Sequence, residues 1–161
     1  MTITKRVNII NDIRGHVLDD DKEMNEMLAE IFRLHGLPNI HFYDNTDKFL
    51  SETDGNVHLC LIDYLLDGPL TGLDVARIIK KKYPKCKIIF VSGQTSLKVM
   101  KELINIGIDG YVDKDEHDYM ECVSEMVTNK LAEIKSNLEL AQLLEEDRQN
   151  RKNKKTETND Y

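Results

Sequence analysis

The chain of 161 residues carries 22 basic and 29 acidic side chains, a net charge of -7, with 40% hydrophobic residues; this suits one domain with an appendage and excludes collagenous, mucin-like and wholly disordered classes. No apolar run approaches the ~20 residues that cross a bilayer, and Met1 to Ile10 lacks the apolar segment of a secretion signal, so a cytoplasmic location is expected. Cys60, Cys86 and Cys122 stand far apart with no CxxC pair, which indicates reduced thiols, and the acidic balance gives no general attraction to nucleic acid or membrane.

Residues 1–12, with the apolar "VNII" at 7–10, show no clear period and read as an N-terminal extension. A regular alternation follows. "HVL" 16–18 reads as a strand, then Met24, Met27, Leu28 and Ile31 share one helical face that Gly36 closes. "NIHFY" 39–43 is a second strand, followed by a short helix around 47–50 with Asn45 or Thr46 as its cap. "VHLCLID" 57–63 is a third strand, "GPLTGLD" 68–74 a turn, and Val75, Ile78 and Ile79 the buried stripe of a helix that ends before Pro84. "KIIFVS" 87–92, a helix through Leu97, Met100, Leu103 and Ile104, and "DGYV" 109–112 complete the alternation. Strands separated by helices of about three turns predict a parallel sheet covered on both faces, a doubly wound α/β domain over 13–128.

The last helix is expected from Glu116 to Asn150, since neither Pro nor Gly interrupts it. Its second half, 129–150, extends beyond what one domain needs. There Leu131, Ile134, Leu138 and Ala141 recur at spacings of three and four, with Leu140, Leu143 and Leu144 widening the apolar side. A longer docking helix and a short helix-pairing segment that forms a homodimer both fit. Residues 151–161 are polar and are expected to be disordered, with "RKNKK" a solvated stretch and not a nucleic-acid arm.

In an open α/β sheet the working crevice lies beyond the carboxyl ends of the strands. The first strand delivers Asp19 and Asp20 there, the third Asp63, the fourth Ser92 followed by Gly93, and the fifth Lys114 behind Tyr111. Each polar residue follows an apolar run, where a core side chain is no longer required. Carboxylates about 4 Å apart repel by about 4 kcal/mol at an effective dielectric of about 20, so such a cluster calls for a cation or open water. One ammonium and one divalent ion cancel three carboxylates, and all-oxygen ligands without His or Cys favour Mg2+. Carboxylate nucleophile, lysine, hydroxyl and metal together suit phosphoryl transfer through an acyl phosphate.

Taken in order, "VLDDD", "LCLIDYLLDG", "IIFVSG" and "GYVDK" resemble the receiver domain of the bacterial two-component response regulators, over residues 13 to 128. The resemblance implies a flavodoxin-like (βα)5 fold with a five-stranded parallel sheet. It implies that Asp63 accepts a phosphoryl group from a histidine kinase or histidine phosphotransfer protein. Asp19, Asp20, Asp63 and the backbone carbonyl of Leu65 would hold Mg2+; Ser92, Gly93 and Lys114 would bind the phosphoryl group. Tyr111 would turn inward as Ser92 moves, changing the surface of the fourth helix, fifth strand and fifth helix, counted from residue 13. The output is expected to be contact with a downstream protein, with no DNA-binding or cyclase module and no catalysis beyond the protein's own phosphorylation and dephosphorylation.

Two departures from the family pattern stand out. The loop after Asp63 reads "LLDGPL" and its Gly72 comes one position later than the family's glycine, so a reshaped loop is expected; Lys114 is followed by Asp115 in place of the usual Pro. Other readings are weaker. Haloacid-dehalogenase-like phosphatases want a second aspartate two residues after the nucleophile, where this chain has Leu65, and no phosphate loop or dinucleotide fingerprint is present. Asp21 reads as a helix cap, and the five histidines lack ligand spacing. The alternative is a phosphorylation-independent receiver-like module that works through its long last helix.

Overall fold

The structure is a computed structural model that describes residues 9–93 and 95–157. Strands β1 (Arg14–Leu18), β2 (Asn39–Tyr43), β3 (Leu59–Asp63), β4 (Lys87–Ser92) and β5 (Gly110–Asp113) form one parallel sheet in the order β2-β1-β3-β4-β5. Between them run α1 (Ile9–Asp12), α2 (Lys22–Leu34), α3 (Thr46–Glu52), α4 (Gly72–Lys82), α5 (Leu97–Ile106) and α6 (Tyr119–Glu157). Because β1 lies between β2 and β3, the chain reverses its direction of travel across the sheet there. That is where a doubly wound sheet opens a crevice.

The two-residue period of the strands divides the core between two faces. Val17, Leu61, Ile89 and Val91 meet Leu28 and Phe32 of α2 and Val127 and Leu131 of α6. Leu18, Cys60, Ile88 and Phe90 point the other way, onto Phe49 of α3, Ile79 of α4 and Leu103 of α5. Polar caps fix where the helices begin. Asp21 accepts the Met24 N–H at 3.1 Å, Asn45 the Lys48 N–H at 2.9 Å, and Thr71 with Asp74 forms a reciprocal box at the start of α4. Gly107 closes α5 at φ +81°, a conformation that favours glycine.

The loop after β3 turns on two glycines. Gly68 takes φ +106°, and a Cβ on Gly72 would lie 2.0 Å from the Asp63 carbonyl oxygen and 2.8 Å from the Tyr64 Cα. Helix α4 therefore starts with bare backbone against the end of β3, held by the Gly72 N–H donating to the Tyr64 carbonyl at 3.0 Å.

Three expectations about the ends of the chain change. Within the N-terminal extension, residues 1–8 lie outside the described residues, and Ile9–Asp12 form a helical turn whose Ile10 packs on the α2–α6 core. Helix α6 starts at Tyr119 and runs 39 residues to Glu157, so 151–157 are helical instead of disordered, while 158–161 lie outside the described residues. Good helix formers and ion pairs one turn apart, Arg148 with Glu145 at 3.5 Å and Arg151 with Asp147 at 2.8 Å, carry the helix on. Leu140, Leu143 and Leu144 do not widen the core stripe. Leu140 stands nine residues, two and a half turns, beyond the buried Leu131, and the three leucines are exposed on the opposite face. No helix among the described residues is long and apolar enough to cross a membrane.

Candidate functional site

The strand ends bring together every polar residue singled out in the sequence. Asp19 follows β1 and is buried; Asp63 ends β3 and is buried; Asp20 is exposed at the crevice mouth. One oxygen from each of the three carboxylates lies within 4.8 Å of the others. Lys114, just past β5, reaches over them with its Nζ 2.9 Å from Asp19 Oδ2 and 3.6 Å from Asp63 Oδ2. Ser92 ends β4 fully buried, and its carbonyl accepts the Lys114 N–H at 2.8 Å, which ties the two phosphoryl-binding candidates to each other. Gly93 comes next, and a Cβ there would find only ordinary contacts, the nearest at 3.7 Å. Leu65 donates its N–H to Asp63 Oδ1 at 3.3 Å and exposes its side chain.

The electrostatics follow from this crowding. Burial, then the charges of Asp19 and Asp20, push the Asp63 carboxyl up to about 6, against the opposing pull of Lys114 and the Leu65 N–H. Burial by itself would lower the Lys114 ammonium. The Asp19 hydrogen bond and charge, with Asp63 and Asp21 behind them, reverse that and hold it above its ordinary value. Three carboxylates facing one ammonium leave an excess of negative charge that hard, divalent cations satisfy.

Several partners were not visible in the chain. Asp21 caps α2 as its position indicates, but its second oxygen also accepts from the Tyr119 hydroxyl at 3.4 Å and stands 4.0 Å from Lys114 Nζ. Asn25 donates its side-chain amide to the Asp19 carbonyl at 2.9 Å and so fixes the turn that carries both acids. Tyr111 is half-buried; its ring stacks on Phe90 at 6.4 Å and its hydroxyl lies 2.6 Å from Thr95 Oγ1. Asp115, in the place of the family's Pro, donates its N–H to Asp113 Oδ1 at 2.9 Å, a bond that proline cannot make. Asp113 and Asp21 could have been suspected from their place at strand ends. Nothing in the sequence marks Asn25, Thr95 or Tyr119.

Comparison with known proteins agrees with the geometry. The family model for the response regulator receiver domain matches residues 16–124. A cyclic di-GMP phosphodiesterase of Thermotoga maritima is 28% identical over 98 residues, 61% of this chain and 26% of that protein. The response regulator protein TodT of Pseudomonas putida is 28% identical over 99 residues, 62% of this chain and 43% of that protein. The matched region thus spans less than half the length of either relative. Among solved structures, a CheY-like receiver domain protein from Methanospirillum hungatei superposes with a TM-score of 0.64 at 23% identity, covering 78% of this chain and 98% of that one.

Proposed function

This chain belongs to the response regulator receiver domain family, and from that premise we propose that it accepts a phosphoryl group on Asp63 from a histidine kinase or histidine phosphotransfer protein, with Mg2+, and signals through contacts with a downstream protein. The observation that carries this is the convergence of Asp19, Asp20, Asp63 and Lys114 at the sheet's crevice, with the buried hydroxyl of Ser92 at the next strand end.

The residues fit the metal. Carboxylate oxygens of Asp19, Asp20 and Asp63 lie close enough to share one ion, and none of them is a soft ligand. Together with the Leu65 carbonyl they would hold Mg2+, which when bound neutralises charge on the phosphoryl oxygens. The chain's own residues supply the rest. An oxygen of the ionised Asp63 attacks phosphorus as the P–N bond to the donor imidazole breaks; the electron pair stays on that nitrogen, which takes up a proton. Lys114 exchanges Asp19 for a phosphoryl oxygen, its charge favoured by the buried Asp19 and Asp63 and by Asp21. Ser92 donates its hydroxyl to another phosphoryl oxygen, and Gly93 leaves the approach free of a side chain. Tyr111 leaves Thr95 and turns inward, which alters the face of α5, β5 and α6. The protein turns over no external substrate and works in the cytoplasm.

The test is Mg2+-dependent uptake of phosphoryl label from a phosphorylated kinase or from acetyl phosphate. The wild type takes up label and Asp63→Asn does not. A folded wild type that takes up neither phosphoryl label nor beryllofluoride would establish instead the phosphorylation-independent module, a reading favoured by one observation, the exposed leucines of α6.

A further inference from the structure

Beyond Leu138, the last α6 residue packed on the core, the helix continues to Glu157, about 28 Å at 1.5 Å per residue. Leu140, Leu143 and Leu144 are 57%, 62% and 59% exposed there. A protruding helix of this length is marginal in water unless another surface covers its apolar side. Charge is distributed along the same outer face in a telling order. Toward its N-terminal end stand Glu125 and Glu133, bordering an open groove of about 560 Å³ between β5 and α6 to which Asp113 and Glu116 add carboxylates; Asp109 there is paired with Lys80, and Lys130 is the one lysine of the lining. Past the leucines and Asp147, Arg151, Lys154 and Lys155 come on this side, with Arg148 on its flank, and no acid intervenes between 148 and 155. Apart from Asp147, which Arg151 neutralises, the face therefore reads acidic, apolar, basic from one end to the other.

We propose that this face is covered by the same face of a second copy of the chain, packed antiparallel about a two-fold axis near Gln142. Leu140 then lies against the partner's Leu144, Glu133 opposite the partner's Arg151, and the basic end of each helix beside the acidic β5–α6 groove of the other. The self-complementarity is what a closed, isologous dimer requires. A parallel pair would instead set Glu133 against Glu133 and Arg151 against Arg151. Of the remaining acids of the extension, Glu139, Glu145 and Glu146 fall on other faces of the helix, while Asp147 shares the outer face and is paired there with Arg151 at 2.8 Å. The domains do not collide, because Leu131 and Ile134 hold each of them to the inner face of its own α6. Arg151 is paired with Asp147 at 2.8 Å, and Glu133 with Lys130 at 3.1 Å and Lys87 at 3.6 Å, but Arg151, Asp147 and Glu133 are 78%, 58% and 48% exposed, so rearranging these pairs costs little. The leucines supply the attraction, and the charges set direction and register.

The pairing does not depend on phosphoryl chemistry, so the test uses the unphosphorylated full chain and its Asp63→Asn variant, and its outcome is separate from that of the phosphorylation assay. Sedimentation equilibrium should show a dimer in both, weakened by salt. Glu133→Arg and Arg151→Glu should each raise the dissociation constant at least about tenfold, and the double variant should recover most of that loss. In a Cys122→Ser background, oxidising a mixture of Leu140→Cys and Leu144→Cys proteins should give the mixed cross-link in preference to either self-link. A monomer at about 0.5 mM would overturn the proposal and leave the leucines to a different protein. Dominant 140–140 self-links, or a double charge variant no tighter than the singles, would overturn the antiparallel register.

Discussion

Asp63→Asn should stabilise the metal-free protein, and the gain should depend on pH. In the folded chain the Asp63 carboxyl is raised from 3.8 to about 6 by burial and by its acidic neighbours. A group that binds its proton more tightly when folded adds stability that is full below the unfolded value and is lost as pH rises through the folded one. At about 1.4 kcal/mol per unit, ionised Asp63 costs the fold about 3 kcal/mol above neutrality, about 1 kcal/mol near pH 4.5, and nothing at lower pH. Asparagine has nearly the same shape and no charge, and Lys114 keeps its 2.9 Å bond to Asp19. Urea unfolding of the two proteins at about pH 4.5, 6 and 8 reads the difference directly, and it should grow from about 1 to about 3 kcal/mol across that range. Saturating Mg2+ at pH 8 should narrow the gap, because the ion stabilises only the protein that retains all three carboxylates. A difference that stays constant with pH, or an asparagine variant less stable at pH 8, would refute the argument.

Two further predictions concern packing. Gly72→Ala must displace either the new Cβ or the Asp63 carbonyl, 2.0 Å apart, so chemical unfolding should show a loss of about 3 kcal/mol. Phosphoryl uptake should fall in the same variant, because the strain is centred on the backbone of Asp63, the proposed phosphoacceptor. Asp109 accepts the Lys80 ammonium and the Ile88 N–H, each at 2.8 Å, and Lys80 is only 15% exposed. Asp109→Ala leaves both donors without that acceptor and should cost about 3 kcal/mol in urea titrations, with phosphoryl uptake unchanged at temperatures where the variant is folded.

The sheet and its crevice were legible in the sequence for one physical reason. The strands carry short apolar runs, so the first polar residue after each run marks where the core ends; Asp19, Asp63 and Ser92 were found in that way, and Lys114 one position after Asp113. The unseen parts depend on contacts between distant segments. Gly72 is required by the Asp63 carbonyl, which only the folded loop brings near it. Tyr119 meets Asp21 across 98 positions of chain, and Thr95 meets Tyr111 through the β4–α5 connection. The leucines of α6 show a related limit. Their spacing fits a helix, but which side is buried depends on where the domain beneath ends, and it ends at Leu138, before they begin.

The run Asp19, Asp20, Asp21 shows how one residue type acquires three physical states in adjacent positions. Asp19 is 2% exposed and tolerates it because Lys114 and the Asp21 N–H, at 2.9 and 2.8 Å, both bond its carboxylate. Asp21 spends one oxygen on the first turn of α2 and turns the other toward Tyr119 and Lys114, so it belongs to the rim of the site as well as to the helix. Asp20 stays in water, at the mouth. With Lys114 committed to Asp19 at 2.9 Å and only 3.6 Å from Asp63, the second buried carboxylate is the one left undercompensated. That is why the strain of the metal-free site is concentrated on Asp63, the proposed nucleophile. On the proposed reading, the ion that relieves the repulsion also keeps this nucleophile ionised at neutral pH, so metal affinity and reactivity have the same electrostatic origin.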